Sequence, residues 1–320
     1  MQKDISVIIP IYYEEDNIIP LYNRLIKVLR ENMALDYEMI FINDGSRDDS
    51  VNIIKKLILK DQSVRLIDFS RNFGHQIAVT AGIDQSNGKV VILMDADLQD
   101  PPELIAEMYQ KHLKGYDVVY AKRKDRIGES YFKKFTAKMF YKLLNLITEI
   151  NIPLDTGDFR LMSSRVVDQL RKMPEKNRFI RGMVTWIGFE QAYIEYDRDK
   201  RYSGETGYSL MKMINFSLDG ITSFSTFPLK IATIMGSIIS VISFIYILNI
   251  VYLKFFTNST VPGWSSLMVS TLFLGGFILL TLGIMGEYIA RIYKELKRRP
   301  QYIIKNKFGF DEGIENEAKE

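Results

Sequence analysis

The sequence predicts an α/β domain, built on a mixed, mostly parallel sheet with helices on both faces, followed by a C-terminal hairpin of two transmembrane helices. Three observations carry this. Short apolar runs rich in β-branched residues alternate with helical stretches through the first 121 residues, the pattern of parallel strands joined by crossover helices. Polar clusters follow those runs repeatedly, at the sheet edge where α/β proteins bind their ligands. Two uncharged runs then stand near the end of the chain: Ile231 to Leu253 is 23 residues, and Phe255 to Gly286 holds the strongly apolar Leu267–Met285. A bilayer core needs about 20 apolar helical residues, and both runs meet that.

In chain order, the runs Ile5–Ile11, Met39–Ile42, Val64–Phe69, Val90–Met94 and Val118–Tyr120 read as buried strands. Between them, Ile18, Leu21, Leu25 and Val28 recur at helical spacing behind Asp16 and Asn17, either of which can cap. Asp48 or Asp49 starts a helix through Ile53, Leu57 and Lys60, and Pro101-Pro102 fit the start of another. Two later stretches are amphipathic. Within 131–147, Phe132, Phe135, Met139, Leu143 and Leu146 form one stripe, with Lys133, Lys134, Lys138 and Lys142 on other faces. Within 208–226, a stripe runs through Leu210, Ile214, Leu218 and Ile221, just before the first uncharged run. Such stripes ordinarily face a core; the lysines of the first and the position of the second predict helices lying on a membrane surface. The expected division is a catalytic domain over 1–228, membrane helices within 229–290 (about 229–253 and 265–288), and a tail over 291–320 that is basic and then acidic.

Composition removes several functions. A net charge of +3 lacks the concentrated basic face of a nucleic-acid binder. The absence of cysteine excludes disulfide frameworks, thiolate zinc sites and cysteine nucleophiles, and two histidines are too few for a histidine-rich metal site. Neither GxGxxG nor GxxxxGK[ST] occurs, so dinucleotide and P-loop phosphate cradles are unsupported. The N-terminal apolar run is broken too soon, at Pro10, for a signal peptide, and the domain is expected to stay in the cytoplasm. Lys230 precedes the first uncharged run, and Arg291, Lys294, Lys297, Arg298 and Arg299 follow the second, while the connection Phe256–Trp264 is uncharged. By the positive-inside rule both ends of a multi-pass protein then face the cytoplasm.

Asp95-Ala96-Asp97 is the strongest chemical signal. Two carboxylates at i and i+2 just after a buried strand, with Gln99 close enough to add an oxygen, suit a hard divalent cation such as Mg²⁺ or Mn²⁺. A cation there reverses the repulsion between carboxylates and a nucleoside diphosphate, and stabilises that diphosphate as a leaving group.

Ile8-Ile-Pro10-Ile-Tyr12-Tyr-Glu14-Glu, Asn43-Asp44-Gly-Ser46, Arg71-Asn-Phe-Gly74 and Asp95-Ala-Asp97-Leu-Gln99-Asp-Pro-Pro resemble the motifs of glycosyltransferase family 2. With Leu154-Asp-Thr-Gly-Asp158-Phe-Arg160 and the two apolar runs, the chain resembles the polyprenyl-phosphate glycosyltransferases, among them dolichyl-phosphate mannose synthases and, more closely, bactoprenol glucosyltransferases. The resemblance implies a GT-A type, Rossmann-like fold and inverting transfer of a hexose, glucose before mannose, from a UDP-sugar to a polyprenyl phosphate in the cytoplasmic membrane. By this likeness Pro10, Tyr12, Glu14 and Asp44 hold the nucleoside; Asp95, Ala96 and Asp97 meet the diphosphate; and Asp95, Asp97 and Gln99 take the metal. Arg123 lies near both phosphates, and Arg201, Ser203, Ser209 and Lys212 match a loop that closes over them. Lys134, Arg160 and Lys212 serve the acceptor phosphate. Asp158 matches a catalytic carboxylate, with Asp155 one alignment slip away, and His75 reads as structural. A lipid monophosphate is ionised near neutrality, its second pKa about 6, so Asp158 either orients Arg160 and the acceptor or deprotonates a residual monoanion. A processive polysaccharide synthase would show a Gln-x-x-Arg-Trp motif, which neither Trp186 nor Trp264 supplies. A non-catalytic membrane partner is opposed by the intact carboxylate pair, and a homo-oligomer stays open.

Overall fold

A computed structural model describes residues 2–124, 156–176, 178–197, 227–256 and 263–310. The two amphipathic stretches, Lys134, Asp155, Arg201, Ser203, Ser209, Lys212 and the acidic end from 311 lie outside the described residues. The described chain falls into two units: an α/β unit that includes the residues from Arg299 onward, and a helical unit ending at Arg298.

The α/β unit runs β1 (Lys3–Ile11), α1 (Glu15–Ile26, continued as a π-helical stretch Lys27–Asn32), β2 (Tyr37–Asn43), α2 (Ser50–Ile58), β3 (Val64–Phe69), α3 (His75–Gln85), β4 (Gly88–Leu93), α4 (Leu104–Leu113) and β5 (Val118–Arg123). It continues with β6 (Thr156–Ser163), α5 (Ser164–Lys172), α6 (Ile180–Ile187) and β7 (Gln191–Tyr196). After the apolar helices α7 (Phe227–Phe256) and α8 (Trp264–Leu296), a last strand, β8 (Ile304–Phe308), returns to the sheet.

All eight strands form one sheet in the order β7-β5-β6-β4-β1-β2-β3-β8. The β3-β2-β1-β4 block is parallel, β5 and β7 pair in parallel, and β6 and β8 run antiparallel to their neighbours. Every expected strand is present, each predominantly apolar as a doubly covered sheet requires. Ile5, Val7, Ile9 and Ile11 of β1 pack with Ile18, Leu21, Ile54, Ile105 and Met108 on the face covered by α1, α2 and α4. The alternate residue Ile8 meets α3, so closely that a side chain at Gly82 would stand 2.3 Å from its Cγ2.

Because β6 is inserted antiparallel between β4 and β5, its first residues lie at the edge where the parallel strands end. Leu93 and Tyr120 are both opposite Arg160. That one reversal brings the 156–160 segment beside the carboxylates that follow β4.

In the helical unit, α7 and α8 are long and apolar enough to cross a membrane, over Leu229–Tyr246 and Phe273–Leu296. Many of their large apolar side chains, such as Ile238, Phe244, Leu279 and Ile289, are more than half exposed. A soluble core helix would bury these groups; this surface suits lipid. The stretch read as a tail from 291 has two ordered parts, the end of α8 and β8.

Candidate active site

Pro10 is buried at the end of β1, and the chain then turns through Tyr12 and Tyr13, about half exposed, with Tyr13 at a φ of 59°. The turn is tied to the one after β2: Tyr13 N–H donates to Ser46 Oγ at 3.0 Å and Asp49 N–H to Glu15 Oε2 at 2.7 Å. Glu14 accepts from the Asn17 side chain in the first turn of α1. Asn43, buried, donates to Asp68 Oδ1 at 2.8 Å and accepts from Ser46 N–H at 3.1 Å. Asp44 accepts two backbone N–H bonds from the next loop, Phe73 at 2.7 Å and Gly74 at 2.9 Å. Burial pushes its carboxyl above the usual range against those donors. Gly45, at φ 75°, lets the two loops meet, since a Cβ there would lie 2.5 Å from Asn72 N. Three consecutive strand ends are thus held as one surface.

After β4, Gln99 N–H donates to Asp97 Oδ1 at 3.1 Å, closing an Asx-type turn around Leu98 at φ 60°. Ala96 is buried, while Asp95 and Asp97 are partly exposed at the edge. Asp100, buried, accepts from the Tyr196 hydroxyl of β7.

Asp158, on β6, joins these groups. Its Oδ1 accepts from Arg181 Nε at 2.8 Å and its Oδ2 lies 3.2 Å from His75 Nε2. His75 Nε2 is also 3.7 Å from Asp95 Oδ1, so the imidazole bridges two carboxylates. Arg160 is buried 3.7 Å from Asp158 Oδ1, its guanidinium donating to the carbonyls of Asp158 and Gly157. The electrostatics follow. Burial opposes the charge on Asp158, yet Arg181 and His75 hold its carboxyl well below the usual range. Burial also works against a charged His75, but Asp158 and Asp95 lift it to about 9. Asp95 is pushed up to about 6, by burial and by crowding from Asp158, Asp100 and Asp97, with His75 opposing. Burial brings Arg160 down to about 10.

The fold therefore gathers Asp95, Ala96, Asp97, Gln99, Asp158 and Arg160 at one edge, with Pro10, Tyr12, Glu14 and Asp44 on the adjoining strand ends. Arg123 closes β5, next to Tyr196 of β7 in the ladder. His75, read from sequence as structural, stands between the two acidic elements, and Arg181 was not singled out. No strand-end pattern marks Arg181, which reaches the site only because α6 is folded against it. Among the described residues no three acidic or histidine side chains form a metal cage. Diphosphate-bound Mg²⁺ needs only one or two carboxylates, phosphate and water supplying the rest, and the surplus of carboxylates at Asp95 and Asp97 fits such an ion.

A mostly parallel sheet with an Asp-x-Asp turn and a buried, cation-held aspartate at its ligand edge has the form expected of a glycosyltransferase of GT-A type. Within that class, the chain belongs to glycosyl transferase family 2, whose model matches residues 6–171. It is 52% identical over 96% of its length to YkcC, an uncharacterized glycosyltransferase of Bacillus subtilis (strain 168), covering 94% of that protein. It is 43% identical over 94% of its length to the bactoprenol glucosyl transferase of Shigella phage SfV, covering 98% of it. A prophage bactoprenol glucosyl transferase homolog of Escherichia coli (strain K12) is 42% identical, with 94% of this chain and 98% of that one covered.

Proposed function

We propose that the protein transfers glucose from UDP-glucose to a membrane polyprenyl phosphate, with inversion at the anomeric carbon. The observation that carries this is the Asp95/Asp97 edge beside a buried Asp158 held by Arg181 and His75, in a chain that also holds two membrane-length apolar helices. The bactoprenol glucosyl transferases among its relatives support glucose and a polyprenyl carrier.

Asp95 and Asp97, with Gln99, would hold Mg²⁺ or Mn²⁺, which when bound neutralises the diphosphate as it leaves. Pro10, Tyr12, Glu14 and Asp44 would form the nucleoside side of the donor site, and Arg201 and Ser209 would close on it. In the reaction an acceptor phosphate oxygen attacks the anomeric carbon, the bond from that carbon to the UDP oxygen breaks, and UDP departs with the electron pair. An α-linked donor gives a β-linked lipid phosphate. No protein base is required, because the nucleophile is already an anion. Asp158, kept ionised by Arg181 and His75, is a poor proton acceptor and instead fixes the cations around the reacting phosphates. Arg123, Arg160, Lys134 and Lys212 are assigned to the acceptor phosphate by the same reading.

Membranes containing the protein, given polyprenyl phosphate and a panel of labelled nucleotide-sugars, should put label from UDP-glucose into extractable lipid. Label taken only from another sugar nucleotide would overturn the glucose assignment, and label appearing only in polymer would overturn the lipid acceptor.

A further inference from the structure

We propose that β8, the strand after the second apolar helix, together with the two residues that lead into it, is a positioning part of the donor site: through Tyr302, Ile303 and Asn306 this segment sets the loops 43–46 and 70–74. The inference rests on the donor reading given to those loops above.

An exposed sheet edge invites unwanted pairing, and a covering strand removes it. Covering alone would need only the ladder, in which Leu66, Ile67, Asp68 and Phe69 of β3 are opposite Phe308, Lys307, Asn306 and Ile304. The contacts go further, and they reach the loops. Ser70 N–H, at the start of the 70–74 loop, donates to Ile303 O at 3.0 Å. The Tyr302 ring stacks on Phe69 with centroids 5.2 Å apart, and Phe69 meets Phe73 edge-on at 5.6 Å. Phe73 is one of the two residues whose N–H groups bind Asp44. The second line runs through Asp68, buried and shared: Asn306 Nδ2 is 3.5 Å from its Oδ2, while Asn43 holds its Oδ1 at 2.8 Å. Asn43 in turn accepts from Ser46, and Ser46 from Tyr13. Each donor loop thus has its own connection to the 302–306 segment.

The strand is fixed at both ends. Gln301 donates to Glu175 O at 2.9 Å and the Tyr302 hydroxyl to Asp84 at 3.0 Å. Gly309, at φ 79°, passes so near β3 that a Cβ would stand 2.5 Å from Val64 O. Only residues 297–303 separate this strand from α8, so the support of the donor loops is continuous in the chain with a membrane-length helix.

The test uses the full-length protein in lipid nanodiscs, measuring UDP affinity by calorimetry with Mn²⁺ and KM for UDP-glucose and for polyprenyl phosphate. Tyr302→Ala and Asn306→Ala should each weaken UDP binding and raise the donor KM by about tenfold, or ~1.4 kcal/mol, with the acceptor KM unchanged. Tyr302→Phe, which keeps the stack, should recover most of the affinity. Lys307→Ala, whose partner Gln85 lies outside the loops, should behave as the unmodified protein. Unchanged UDP affinity in Asn306→Ala and in any folded Tyr302→Ala, whatever the melting temperature, would reduce β8 to an edge cover and overturn the inference, as would equal losses toward donor and acceptor. Failure of the unmodified protein to bind UDP would instead overturn the donor reading, and the inference with it.

Discussion

Removing the Asp97 carboxylate takes from the β4 edge a charge that a divalent cation needs, and leaves the core untouched. Asp97→Ala should lower kcat/KM by about 100-fold or more with little change in melting temperature; transfer undiminished in excess chelator would remove the metal from the mechanism. Arg181 acts differently, through Asp158. Arg181→Met strips a charge-assisted hydrogen bond from a buried carboxylate, and should cost about 2 kcal/mol of stability while kcat falls more than either KM rises. Arg181→Lys should restore part of both, measured by denaturant unfolding and steady-state kinetics. Asp95 and Asp97 were legible in the sequence because they come straight after an apolar run, whereas Asp158 was reached only through the family resemblance of its segment. His75 and Arg181 were not, since their meaning depends on β6 being threaded backwards between β4 and β5, which no local pattern announces.

At the scale of elements, the loop crossing at Gly45 leaves no room for a side chain. Gly45→Ala adds positive-φ strain, of about 1–3 kcal/mol, and pushes against Asn72, so donor KM should rise before the fold is lost. The junction of β6 with α5 depends on charge. Asp117 accepts from Ser163 Oγ at 2.8 Å and from Arg165, and Arg165 above all holds its carboxyl below the usual range. A depressed folded pKa stabilises above the unfolded value of about 3.9 and is lost as pH falls through the folded one. Asp117→Asn should therefore flatten the acid limb of a stability-versus-pH curve below about pH 4, read from thermal unfolding at stepped pH. The five early strands could be read because burial on both faces makes them predominantly apolar, polar residues such as Ser6, Arg65 and Asp68 notwithstanding. Helix α3 could not: Ala78 through Ile83 are buried in succession, which erases the amphipathic stripe. Strand β8, with two lysines in Ile304-Lys-Asn-Lys-Phe308, looks like surface until its partner is known.

For the whole molecule, the two long apolar helices were the easiest part to read, because length and lack of charge suffice to mark them. They extend past the apolar runs: α7 has 30 residues and α8 has 33, so at 1.5 Å per residue each is about 45–50 Å long, against a hydrocarbon core of about 30 Å. Charge asymmetry predicts that tags at the N-terminus and C-terminus are reached only from the cytoplasmic side, and that a label at Asn258→Cys is reached from outside. A C-terminus protected from the cytoplasmic side would leave a single span.

The strand β8 also imposes an order on synthesis. Asp68 and Asn306, which meet in the finished sheet, are 238 residues apart. At 5–20 residues per second the ribosome delivers the second roughly 12–50 s after the first. During that interval β3 lacks its β8 partner, and both long apolar helices are made. The sheet is completed only from the stretch of chain made after those helices. A nascent or cleaved product that stops short of the last strand would then expose β3 as an unpaired edge, open to pairing with another chain.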